Sequence, residues 1–213
     1  MSWSGGPLDA ALVLDTTGEL GTYVQALRRR LPELLPALER LAPRTRLGVI
    51  AFKDHGCEGQ DEHYLVRRLP LERDRGRLLA FLGDPALAPG AGGGGAEALE
   101  CALRAARSLR WRPSARRVVV VVSDKPPHGA GLDGLERCPE GVDWREQVEA
   151  LAADEVAIVA LQVGQQLETA RVFEWMAVRT GGAHIPLGHP RDLARTLVHA
   201  LIGQAGVLLA PAA

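Results

Sequence analysis

Three short stretches of the chain gather carboxylates, hydroxyls and glycines where apolar runs end: Asp15-Thr16-Thr17-Gly18-Glu19, Gly92 to Glu97, and Ser123-Asp124. Carboxylate and hydroxyl oxygens are the ligands that a hard divalent cation prefers. Without a cation, clustered carboxylates raise one another's pKa by like-charge repulsion. The same residues admit a plainer role. An Asp at a strand end caps a following turn or helix, and Asp15 or Thr17 is placed to do so.

Other chemistries have less support. His55, Cys57, His63, His128 and Cys138 fall in loops that could converge on zinc, but their spacings match no standard zinc pattern and isolated surface histidines are expected. Gly90, Gly92 and Gly95 have GxGxxG spacing before a helical stretch, yet no strand feeds into them, as a dinucleotide fingerprint requires. A flexible loop beside the sheet is the expectation there. Ser123 near His128 lacks the GxSxG elbow of a serine nucleophile.

The positioning elements follow from periodicity. Apolar runs at Leu8 to Leu14, Arg46 to Phe52, Arg117 to Val122, Val156 to Val163 and His184 to Leu187 read as strands, with Tyr64 to Leu71 a weaker strand at the sheet edge. The run of five valines, with no polar alternation, calls for burial on both faces. Spacings of three and four predict helices over Tyr23 to Leu41, Asp74 to Leu82, Ala96 to Leu109, Trp144 to Ala153, Thr169 to Thr180 and Pro190 to Ala205. Pro32 and Pro36 predict a kink or break in the first of these. Alternating strands and helices specify an α/β fold with a doubly wound, mainly parallel sheet covered on both faces. Ligands of such sheets collect at the carboxyl ends of the strands, where Asp15, Asp54, Asp124 and the loop around Gly94 must lie.

Composition narrows the function classes. The 213 residues, 46% of them hydrophobic, suit one domain spanning residues 1–213. A net charge of −1 gives no field to attract nucleic acid or an anionic membrane. No apolar stretch reaches the roughly 18 residues of a membrane span and the opening lacks a secretion signal, so a cytoplasmic protein is expected. Three widely spaced cysteines, Cys57, Cys101 and Cys138, argue against a disulfide framework and read as buried or idle thiols. The excess of Arg over Lys, with abundant Ala, Leu, Gly and Pro, points to a high-GC bacterial genome.

Several ordered segments together resemble the von Willebrand factor type A family. LVLDTTGELGTYV is similar to the DTTGSM opening of its metal-ion-dependent adhesion site, and FKDH to the YRDH turn of a bacterial branch related to alpha-kinase-associated domains. GGGGAEAL resembles that branch's GGGDxPEAL segment, and VVVSDKPPHG its strand ending in ADAPPHG. The resemblance covers most of the chain and implies a Rossmann-like fold with a Mg²⁺ site, for which Mn²⁺ and Ca²⁺ are alternatives. Asp15, Thr17 and Asp124 supply oxygen ligands, while alignment puts Glu19 where the second hydroxyl should be and Gly94 where relatives carry Asp. With Asp15, Glu19 and Asp124 ionised, a Mg²⁺ site keeps a net negative charge, which disfavours a partner's carboxylate. Glu19 then either replaces the partner's acid around a structural ion or marks a site that has lost its metal.

The resulting expectation is a non-enzymatic protein-interaction module, binding a partner at the carboxyl edge through loops 15–23, 53–63, 91–97 and 124–143. The resemblance implies a bacterial multi-protein system whose partner is an ATPase or peptidase component. Arg28, Arg29 and Arg30 read as a solvated helix face. The alternatives are a metal-dependent phosphoester hydrolase using Asp15 and Asp124, and a metal-free scaffold.

Overall fold

Alternate residues of the central strands enter two different cores. The computed structural model describes residues 6–18, 20–56, 64–88, 90, 94–130 and 137–204. In β1 (Leu8–Asp15), Ala10, Leu12 and Leu14 face one apolar cluster while Ala11 and Val13 face the other. The valines of β4 (Arg116–Ser123) divide the same way, with 118, 120 and 122 on one side and 119 and 121 on the other. The pleat turns successive side chains to opposite faces, so a continuous apolar run is stable only where helices cover both.

The other strands are β2 (Arg46–Phe52), β3 (Val66–Glu72), β5 (Val156–Val163) and β6 (Ala183–Leu187). They form a six-stranded sheet in the order β3-β2-β1-β4-β5-β6, parallel except for β3, which runs antiparallel to β2 at the edge. The expected doubly wound α/β fold is therefore present, and the edge strand is where the sequence placed it. Helices α1 (Leu20–Leu41), α2 (Arg75–Leu82) and α6 (Leu193–Gln204) cover one face. Helices α3 (Leu99–Arg107), α4 (Trp144–Ala153) and α5 (Leu167–Thr180) cover the other.

Two expectations change. Helix α1 is assigned without a break through Pro32 and Pro36. Its Leu27, Leu31, Leu35 and Leu38 are buried on the sheet while Pro32 is exposed, so packing of the apolar face holds the helix despite the bonds its prolines cannot make. Helix α3 starts at Leu99 rather than Ala96. The Glu97 amide is bonded to the Pro126 carbonyl and the Ala98 amide to the Lys53 carbonyl, so these residues tie three loops together instead of extending the helix.

The amino-terminal edge of the sheet is closed by ion pairing. Asp9 is fully buried and takes hydrogen bonds from Arg46 Nε at 2.9 Å and Nη2 at 2.6 Å, and from Arg112 Nε at 2.9 Å and Nη2 at 2.6 Å. The Arg112 amide adds a bond at 2.8 Å. Burial pushes the Asp9 carboxyl up, but the Arg46 and Arg112 bonds and the Arg46 charge outweigh it and hold it below the usual carboxylate range. No described helix is long and apolar enough to cross a membrane.

Candidate functional site

The chain winds outward from β1 in one direction and from β4 in the other, so the switch point of the sheet lies between these neighbours. Asp15 ends β1, and Ser123 ends β4 with Asp124 just beyond. The sequence motifs therefore sit at the position where open parallel sheets bind ligands. Gly18 turns the chain from β1 into α1 with φ of 43°, the left-handed region that favours glycine.

Asp15 is buried and held from both sides of the switch point. Its Oδ1 accepts from the Thr17 amide at 2.9 Å and the Thr17 hydroxyl at 2.7 Å, and its Oδ2 accepts from the Ser123 hydroxyl at 2.7 Å. The plainer turn-capping role is thus real. Burial nevertheless pushes the Asp15 carboxyl up to about 6, against the lowering hydrogen bonds from Thr17 and Ser123 and with the Asp124 charge adding to the rise. The Asp124 carbonyl accepts from the buried Thr169 hydroxyl at 3.0 Å, which ties the loop after β4 to the first turn of α5.

The second loop brings a carboxylate whose part the sequence reading missed. Glu97 is buried, and its Oε2 has no hydrogen-bond partner among the described residues. Burial, then the charges of Asp15 and Asp54, push its carboxyl up to about 9, although the Thr17 hydroxyl and the Lys125 charge work the other way. The signal was present in GGGGAEAL, but nothing local indicated that its glutamate turns inward.

Asp54, beyond the end of β2, completes the group. Its Oδ1 lies 2.6 Å from His128 Nε2 and accepts the His55 amide at 2.7 Å. A Cβ at Gly94 would stand 3.4 Å from Asp54 Oδ2, so an aspartate at this position would bring another carboxylate against Asp54. Lys125 Nζ instead donates to the Gly94 carbonyl at 2.8 Å, placing a fixed cation beside the cluster.

Gly90 also acquires a specific role. It is bridged to the first loop by bonds from the Gly18 amide to its carbonyl and from its amide to the Thr16 carbonyl. A Cβ there would meet the end of the Lys53 side chain, which packs against this glycine.

Of the residues singled out for a cation, Asp15, Thr17 and Asp124 come together at one edge, and Glu19 lies outside the described residues. The donor set fits a hard divalent ion: carboxylates and a hydroxyl, with a buried carboxylate oxygen that has no hydrogen-bond donor among the described residues. Thr17 bonds the carboxylate cluster internally, so a cation would add to an arrangement that already orders itself.

The histidine expectation is corrected. The His55 side chain is 9% exposed and that of His128 is 13% exposed, and their rings meet edge to face at 5.2 Å. His55 converges with Glu100, Cys101 and Cys138, because α3 and the loop before α4 fold over the end of β2. Cys57 and His63 lie outside the described residues. Cys101 and Cys138 are free and buried; burial, reinforced by the Glu100 charge, pushes the Cys101 thiol above its usual range.

No protein-family model matches the sequence, and neither does any curated protein. Solved structures match in fold. The pilus adhesin SpaC from Lactobacillus rhamnosus GG, in its open conformation, aligns with a TM-score of 0.65 at 13% identity, over 96% of this chain and 30% of the adhesin. BatB, a conserved hypothetical protein from Bacteroides thetaiotaomicron, aligns with a TM-score of 0.58 at 17% identity, over 94% of this chain and all of that one. This chain thus spans under a third of the adhesin. The strand order and these likenesses are consistent with the Rossmann-like von Willebrand A fold implied by the motifs.

Proposed function

We propose that the chain is a protein-interaction module of von Willebrand A type that docks a partner at the carboxyl edge of its sheet through a divalent-cation site. Asp15, Thr17 and Asp124 are the residues of this chain that would hold Mg²⁺, with Mn²⁺ or Ca²⁺ as alternatives, and Glu19 is the additional ligand suggested by the motif. Bound there, the ion would offset most of the charge of the clustered carboxylates and order the loops at that edge; with Glu19 in its shell, the partner would be met by those loops and not by an acidic side chain of its own.

The observation that carries this reading is the buried carboxylate cluster at the switch point, above all Glu97 Oε2 without a donor among the described residues. Carboxylates are seldom buried without a cation or hydrogen bonds to offset their lost hydration. Ser123 and Thr17 fix the orientation of Asp15, and Thr169 anchors the backbone of Asp124, so the edge is preorganised. The adhesin likeness supports a binding role in place of turnover. The motif resemblance points to an ATPase or peptidase component of a bacterial system as the partner.

Calorimetric titration of Mg²⁺ and Mn²⁺ into the full chain, with Asp15→Ala as control, tests the site. Binding that disappears in the variant, without hydrolysis of model phosphoesters, is the expected result. No binding by the unaltered chain would leave a metal-free scaffold as the better account. Phosphoester turnover lost in both Asp15→Ala and Asp124→Ala would replace the binding module by a hydrolase.

A further inference from the structure

We infer that His55, Glu100, Cys101 and Cys138 form a closed, four-ligand Zn²⁺ site that staples the loop before α4 to helix α3 and the end of β2. It is separate from the Asp15 site and does not depend on the function proposed for that site.

Five of the six separations among the four ligand atoms are close to those of a tetrahedron around zinc, and the sixth, Cys138 Sγ to Glu100 Oε1, lies within 4.8 Å. With Zn–S near ~2.3 Å and Zn–N near ~2.0 Å, tetrahedral angles require S···S edges of ~3.8 Å, S···N edges of ~3.5 Å and N···O edges of ~3.3 Å. The sulfurs of Cys101 and Cys138 are 3.7 Å apart, and His55 Nε2 lies 3.7 Å from the first and 3.4 Å from the second. Glu100 Oε1 closes the figure at 3.1 Å from His55 Nε2 and 3.9 Å from Cys101 Sγ. All four ligand atoms lie within 4.8 Å of one another.

Simpler readings leave part of this arrangement unused. A disulfide needs a bond of ~2.0 Å and gives His55 and Glu100 no part. A cysteine–histidine nucleophile pair would employ one sulfur and leave a second thiol and a fully buried carboxylate against the same imidazole nitrogen. Four donors of the nitrogen, sulfur and oxygen types zinc takes, converging on one point, are accounted for together by the ion.

The surroundings orient the ligands as metal sites require. The His128 amide donates to Glu100 Oε2 at 3.1 Å, leaving Oε1 directed at the other three. The His55 amide is bonded to Asp54 Oδ1, fixing the turn that carries the ring. Ala98 and Val142, with Leu65 and Val66, form an apolar wall around the two sulfurs. Two thiolates and a carboxylate around Zn²⁺ leave one negative charge, and Arg104, paired with Glu140, lies close enough for both sulfurs to act on it. Pairs such as Glu100-Cys101 in the first turn of a helix, with one ligand 37 positions later, have no standard spacing, which is why the sequence pattern concealed the site.

Elemental analysis of the full chain purified under reducing conditions should find one zinc per chain. Replacement by Co²⁺ should give the intense visible bands of a tetrahedral ion and a thiolate-to-cobalt charge-transfer band. Cys101→Ser and Cys138→Ser should each lower zinc affinity at least tenfold, while Asp15→Ala keeps full zinc content; that contrast separates this site from the cation site at the switch point. Should either serine variant fail to fold, the cobalt spectrum of the unaltered chain still decides. The inference is overturned if the chain neither contains zinc nor gives a tetrahedral, sulfur-ligated cobalt spectrum on titration, or if folded serine variants bind zinc unchanged.

Discussion

The two ends of strand β1 each bury an aspartate, and the two carboxyls are driven in opposite directions. Asp9, at the amino edge, is gripped by two guanidiniums and held below the usual carboxylate range. Asp15, at the carboxyl edge, receives hydrogen bonds from neutral hydroxyls and an amide, and is pushed up to about 6 with Glu97 nearby pushed up to about 9. The same residue type on the same strand therefore serves a finished structural contact at one end and an electrostatically incomplete one at the other. Incompleteness of this kind marks a place where binding energy can be collected from outside the chain.

Isosteric substitutions should expose the contrast by sign. Asp9→Asn leaves two partly buried guanidiniums without their counter-charge and should lower stability by about 4 kcal/mol, the largest effect, measured by urea denaturation at pH 7. An unchanged midpoint would mean the arginine clamp contributes nothing and the two ends do not differ.

Glu97→Gln should do the reverse. In the parent chain without added divalent ion, the folded state binds the Glu97 proton more tightly than the unfolded state, so stability falls as pH rises from the ordinary Glu value of 4.5 toward about 9. Glutamine, which takes up no proton on folding, should therefore stabilise by about 3 kcal/mol at pH 7, with almost no gain at pH 4. Paired melting curves from pH 4 to 9 would show the gap opening upward; a constant gap would refute the buried charge as its source.

Asp15→Asn should give a smaller gain, about 2 kcal/mol above pH 6, because the amide returns part of the benefit in weaker hydrogen bonds. Its window is lower, from the ordinary Asp value of 3.8 up to about 6. Denaturation at pH 5 and pH 7 would separate it from the Glu97 effect. The smallest change is expected from Ser123→Ala, which removes the bond to Asp15 Oδ2 and should cost about 1 kcal/mol near pH 7. It should also push the Asp15 carboxyl further up, followed by carboxyl titration in NMR spectra.

Much of the fold was legible because its signals are local. Val156 to Val163 and Trp144 to Ala153 were readable to the residue, as β-branched runs and three-and-four spacing are set within one element. Asp15, Thr17 and Asp124 were legible as one edge because each follows an apolar run, and in parallel sheets all carboxyl ends point the same way. The break that Pro32 and Pro36 allowed does not occur, because burial of the α1 leucines outweighs what proline removes from the helix.

What the sequence by itself determined is the alternation of strand and helix, the two-sided burial of the valine run, and the gathering of polar loops at one sheet edge. Tertiary structure alone decided that Glu97 turns inward against Asp15 and Asp54, and that His55, Glu100, Cys101 and Cys138 share a single point. The reason is one of range. Periodicity is written into neighbouring residues, whereas the meeting of side chains tens of positions apart depends on how helices and loops close over the sheet, and on the desolvation that closure imposes.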